Sequence, residues 1–196
     1  MSNEQFGHAN KLGDCNTLGH ANKLGDCNTL GDWNKLGDGN KLGHRNTLGH
    51  FNTLGNNNTF GRFSTFGDNN KLGHDNSLGH HNTLGNNNTL GHDNSFGNFN
   101  SFGDSFKHGK RLTSEGVKVI RLMCMSNVDG SGRRIIIYIH TEGILIRAGC
   151  FKGSLDEFCA KAESEGKKRY SRVVRAAAEA LAADVAEEGF TNGWGE

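Results

Sequence analysis

Histidines and carboxylates recur at fixed spacing through the first half of the chain, and their chemistry is the first to weigh. The position after each regularly spaced glycine holds His8, Asp14, His20, Asp26, Asp32, Asp38, His44 and His50. Imidazoles and carboxylates stacked ~5 Å apart could ligate a metal ion. The order of types argues against it. An eighteen-residue period would align His8, Asp26 and His44, and no tetrahedral set follows. Solvated polar surface is therefore the expected reading, with no metal and no cofactor. The five cysteines (Cys15, Cys27, Cys124, Cys150 and Cys159) are odd in number and lack CxxC spacing, so reduced cytosolic thiols are expected. Cys15 and Cys27 hold equivalent positions, which leaves a pairing open.

Two further groups could make contacts rather than do chemistry. Trp33, Phe51, Phe63 and Phe99 occupy the second position after a repeat glycine, where exposure is expected. Clustered exposed aromatics mark contact surface, and an eighteen-residue period would stack Trp33 on Phe51. Near the C-terminus, Lys167, Lys168, Arg169, Arg172 and Arg175 open a helical pattern that closes on Glu187 and Glu188. That polarity opposes what the helix dipole favours, so local helix stability does not explain it. A basic patch for nucleic acid is one reading. The other, preferred because it accounts for both ends, is a homodimer that pairs antiparallel helices.

The element that must position the first two groups is a repeat. From Gly7 the chain reads Gly-x-x-Asn-x-Leu/Phe sixteen times, ending at Phe102. Glycine and Leu/Phe fill their slots in all sixteen copies, and Asn in fifteen, with Ser64 the exception. An apolar residue every sixth position is not helical. Each hexad reads as a short strand and a turn, with Asn and Leu on the inner face and Lys, Thr or Ser pointing out. Stacked coils bury the leucines that one hexad cannot. A buried Asn without partners would cost ~1–3 kcal/mol, so an amide-to-amide ladder is expected through Asn16, Asn34, Asn52, Asn70 and Asn88.

This pattern resembles the hexapeptide repeat of left-handed parallel β-helix proteins, with Asn where that family usually places a small residue. The resemblance implies three hexads per triangular coil, hence eighteen residues per coil and about five coils over residues 1–106. His74-Asp75-Asn76-Ser77 recurs at 92–95 in agreement, whereas the unchanged return of His8–Leu18 at 20–30 suits two hexads per coil. Acyltransferases of the hexapeptide family place a histidine beside loops that interrupt the coils. No such insertion or nucleophile–base pair is visible here, so catalysis is not expected.

The periodicity weakens after Phe106. Residues 107–116, opening Lys107-His108-Gly109-Lys110-Arg111, read as a basic connector, and 117–196 as an α+β domain. Strands are expected at 117–126, 133–140 and 144–151, with Ile135, Ile137 and Ile139 on one face. Ser154-Leu155-Asp156-Glu157 is a capping box opening a helix that stops at Gly166. A second helix over 168–188 carries the stripe Tyr170, Val173, Val174, Ala177, Leu181 and Val185. The fold class is thus mainly β: a parallel β-helix with a C-terminal βββαα domain expected to cover its open end and to dimerise. Segments 127–132, 146–151 and 153–158 are similar to uncharacterised bacteriophage and prophage proteins, which implies a phage product in the cytoplasm of a bacterial host.

Net charge is +1, so no global field selects a nucleic-acid or membrane partner. No apolar run is long enough to span a bilayer, and the polar N-terminus is unlike a signal peptide. The leading expectation is an interaction scaffold or inhibitor presenting a stiff solenoid to a host protein. In outline this resembles pentapeptide-repeat proteins, which dimerise through a C-terminal helix and bind DNA-handling enzymes as duplex mimics. The near-neutral repeats weaken mimicry. Nucleic-acid binding through residues 107–111, 133–134 and 167–175 is the alternative.

Overall fold

The computed structural model describes residues 4–103, 106–109, 111–126, 128–130 and 132–187. Residues 1–3, Asp104, Ser105, Lys110, Asn127, Ser131, Glu188 and Gly189, which enter the sequence reading, lie outside the described residues. The chain divides into two compact units, 1–117 and 118–196. The first is a parallel β-solenoid; the second consists of strands followed by two helices.

The solenoid has one two-residue strand per hexad, β1 (Gln5–Phe6) through β16 (Ser95–Phe96). Strands three hexads apart pair in parallel and in register, Lys23 with Lys41 and Leu24 with Leu42. Eighteen residues per turn is therefore the period, and the twelve-residue recurrence of His8–Leu18 is a sequence echo without a structural counterpart. Three sheets result, one per face. Leu and Phe from Leu18 to Phe102 are buried along the axis, as are the Asn residues from Asn22 to Asn100 with Ser64 among them.

There are about six turns rather than five, because residues 107–116 are not a connector. Lys107 bridges to Thr89, and β17 (Leu112–Ser114) places Thr113 beside Ser95. The Lys107 and Thr113 N–H groups donate to the Asn88 and Asn94 carbonyls, as their counterparts do in every turn above. The sequence signal fades here because the apolar residue changes slot. Phe106 and Leu112 occupy the Asn slot and are buried, while His108 and Ser114 stand where Leu is usual.

The repeat glycines serve close approach rather than unusual torsions. A Cβ on Gly61 would lie 2.5 Å from the Gly43 carbonyl oxygen one coil away. The left-handed backbone falls two residues later, at Cys15, Trp33, Phe51, Phe63, Asn69 and Phe99 among others, with φ between 57° and 61° at these six. Gly39 is the one repeat residue that fills this slot with glycine.

In the second unit, β18 (Val117–Ser126), β19 (Arg134–His140), β20 (Gly143–Ala148) and β21 (Phe151–Ser154) form an antiparallel meander in chain order. The fourth strand is an addition to the expected three: Gly149, with φ +62°, and Cys150 turn the chain so that Phe151–Ser154 pairs back on β20. The capping box is present, with Ser154 Oγ accepting from the Glu157 N–H and Glu157 accepting from the Ser154 N–H. Helix α1 (Leu155–Ser164) and α2 (Lys168–Glu187) pack on Ile135, Ile137, Ile139 and Ile146 through Phe158, Tyr170, Val174, Ala178, Leu181 and Val185. Val173, expected in the apolar stripe, is exposed instead.

Candidate functional site

Which side chains are free to contact a partner follows from where the backbone N–H groups go. Counting from glycine, the N–H of slots one and five donate to carbonyls of the preceding coil, as Gly31 does to Leu12 and Thr29 to Asn10. The slot-three N–H donates to a carbonyl of the following coil, as Trp33 does to His50. Slots two and four have no backbone acceptor, and side chains supply one.

The Asn ladder supplies slot four, though not amide to amide as expected. The Asn16 N–H donates to Asn34 Oδ1 at 2.7 Å, Asn34 to Asn52 at 2.7 Å, Asn52 to Asn70 at 2.7 Å and Asn70 to Asn88 at 2.8 Å. Each Oδ1 thus serves the main chain of the coil before it. Several amide nitrogens close a local loop, as when Asn16 Nδ2 donates to the Gly13 carbonyl.

Slot two is served in the opposite direction, so its solvated polar side chains are also structural acceptors. The Asp26 N–H donates to His8 Nδ1 at 2.8 Å, His44 to Asp26 Oδ1 at 2.6 Å and Arg62 to His44 Nδ1 at 2.9 Å. His, Asp and Asn carry an acceptor at the same distance from Cα, which is why these three types fill the slot from His8 to Asn98 except at Arg62. The restricted alphabet was legible in the sequence; the bond it makes was not. No group of three or more His, Cys, Asp or Glu arranged for a metal occurs among the described residues.

Only slots three and five remain uncommitted, and slot three projects from the three corners. Trp33 and Phe51 lie on one corner, stacked at 4.4 Å with planes 5° apart. Phe63, His81 and Phe99 form a second stack on another corner, each step 4.9 Å. The four expected contact aromatics are exposed by 43–58%. They thus group as two ribs in which each of the four rings lays one face on a neighbouring ring. Along the second corner, a shallow groove is lined by Asp26, Cys27, His44, Arg45, Arg62 and Phe63. Cys15 and Cys27 are unpaired thiols on different corners.

One residue that nothing in the sequence announces closes the second rib. Glu115 is buried, and its carboxylate accepts from the Phe99 N–H at 2.7 Å, the slot-three donor of the last full hexad. A side chain here replaces the carbonyl that a further coil would offer.

In the second unit the basic residues of α2 divide. Arg175 pairs with Asp156 and Glu179, and Lys167 with Glu165. Lys168, Arg169 and Arg172 are exposed with no carboxylate partner among the described residues. Lys167, Lys168 and Arg169 border a depression with Val128, Asp129 and Gly130.

No protein-family model, no curated protein and no solved structure matches the chain. Among the described residues, no helix is long and apolar enough to cross a membrane.

Proposed function

We propose that this protein is a non-enzymatic interaction scaffold or inhibitor that offers the aromatic ribs of a stiff solenoid to a partner protein. The observation that carries the reading is the placement of Trp33, Phe51, Phe63 and Phe99 in left-handed backbone. That conformation costs an L-residue ~1–2 kcal/mol, and Gly or Asn adopts it more cheaply. Folding makes no demand for a large ring there. Stacking returns ~0.5–1.5 kcal/mol per pair, which offsets only part of the strain of the two residues. The rings are best accounted for by what they touch.

Replacing Trp33 and Phe51 together with Asn should leave the melting temperature within a few degrees of its starting value and abolish retention of the partner in pull-downs from bacterial lysate. A large loss of stability would make the rings structural and end the reading. A phage or prophage origin, with a host macromolecule in the bacterial cytoplasm as target, is part of this proposal and rests on the sequence resemblance of segments 127–132, 146–151 and 153–158 alone.

Nucleic-acid binding and duplex mimicry rank below it. The solenoid unit carries ten Lys/Arg and ten Asp/Glu over residues 1–117, whereas a duplex or its mimic presents one negative charge per ~1.7 Å. The unpaired Lys168, Arg169 and Arg172 support a second contact: a homodimer in which antiparallel α2 helices bring them to the acidic end of another copy, at Glu187 and Glu188.

A further inference from the structure

Two departures from the repeat, Arg62 and Ser64, flank an aromatic slot-three residue in one hexad, Gly61-Arg62-Phe63-Ser64-Thr65-Phe66, far from either end of the solenoid. Arg62 is the one described slot-two residue in the repeats that cannot accept a hydrogen bond. From Asp26 to Asn98, every other slot-two N–H has its side-chain acceptor in the preceding coil. The His80 N–H, which Arg62 should serve, has none among the described residues. Ser64 interrupts the Asn ladder and receives the Asn46 N–H at a longer 3.3 Å. Phe63 holds a large ring in left-handed backbone, at φ +60°.

Local rules that are broken together, with no structural compensation, mark a site that selection keeps for another purpose. The groups left free share one chemistry. Arg45 and Arg62 line the same groove, on adjacent coils joined by the Arg45 N–H to Arg62 carbonyl bond. Neither has a carboxylate partner among the described residues. The stem of Arg62 passes beside Gly79, the residue before His80, so the free N–H belongs to the segment next to the Arg62 side chain. Two guanidinium forks and an amide donor suit an oxyanion. Phe63, half-exposed beside them, suits an apolar neighbour of that anion.

We infer that this corner binds a carboxylate side chain, flanked by an apolar residue, on a partner polypeptide. The inference rests on the interaction reading above and names the chemistry of one contact within it. A polyphosphate fits less well: Asp26 shares the groove, the unit is neutral, and both faces of the His81 ring are covered by Phe63 and Phe99.

The test is an amide NMR titration of the full chain with the N-acetylated, C-amidated tripeptide Glu-Leu-Glu, its Gln-Leu-Gln analogue, and a thymidine dodecamer. The acidic peptide is expected to shift the His80 amide resonance, and the Gln analogue to leave it in place. Arg62→Asn restores an acceptor to the ladder, so it should raise the melting temperature by about 2–4 °C while weakening peptide binding at least tenfold. Arg45→Asn, which leaves both ladders intact, should weaken it similarly. Equal shifts from both peptides, a dodecamer that displaces the acidic peptide, or a lower melting temperature for Arg62→Asn would each overturn the assignment. A peptide that fails while the Trp33/Phe51 variant still loses its partner removes this site and spares the interaction reading. The reverse pattern supports an anion site and removes that reading.

Discussion

At the scale of single residues, each hexad slot answers a different physical demand, and the demands differ in how much they tolerate. Slot one must be glycine because the preceding coil lies against it. Gly61→Ala would drive a methyl group into the Gly43 backbone, which cannot yield without parting two coils. Overpacking of this kind costs ~1–3 kcal/mol. Gly39, by contrast, sits in the left-handed slot with nothing within 4 Å of its would-be Cβ. Gly39→Asn should therefore be close to neutral in chemical denaturation, and Gly61→Ala clearly destabilising. Equal effects would mean that coil spacing does not decide the glycine. Arg62 and Ser64 depart from their slots legibly, but what they relinquish appears only when the N–H partners are traced.

At the scale of elements, the solenoid strands are too short to be stable alone, and their register is set by side chains on either side of them. The Asn of one coil fixes the main chain of the coil before, and the His, Asp or Asn of slot two fixes that of the coil after. Helix α1 shows the same economy at its start. Glu157 accepts from the Ser154 N–H at 2.8 Å and from its hydroxyl at 3.0 Å, and these two bonds hold its carboxyl below the usual glutamate range. A depressed carboxylate stabilises the folded state above its unfolded pKa and loses that contribution as pH falls through the folded value. Melting temperature should accordingly drop on acidification below about pH 4.5, and Glu157→Gln should flatten that part of the profile. An unchanged profile would mean the capping box does not couple to folding.

At the scale of the whole molecule, the second unit has spent its apolar helix face. Tyr170, Val174, Ala178, Leu181 and Val185 are buried against the sheet and α1, so a contact between copies through α2 would rest on charge. Such a dimer should dissociate as salt is raised to about 0.5 M, where screening is short-ranged. Sedimentation at low and high salt reads this directly, and a monomer at micromolar concentration in low salt removes the dimer. The solenoid is built differently. Each coil contacts only its neighbours, so its stability accumulates along the axis and its ends need special residues. Glu115 is one such residue, accepting from Phe99 where no further coil follows.

The amino-acid sequence determined by itself that leucines six apart line the inside of stacked coils, that Asn recurs there for hydrogen bonding, and that Trp33 and Phe51 share a corner if the period is eighteen. These properties are periodic, and a period can be read from one strand of text. The tertiary structure decided the rest. Only pairing across coils could choose eighteen over twelve, carry the solenoid on through Lys107 and Thr113, and reveal that the solvated residues of slot two also form a ladder. The reason is that a backbone N–H is satisfied by atoms eighteen residues away, and a sequence names donors and acceptors without saying which of them meet.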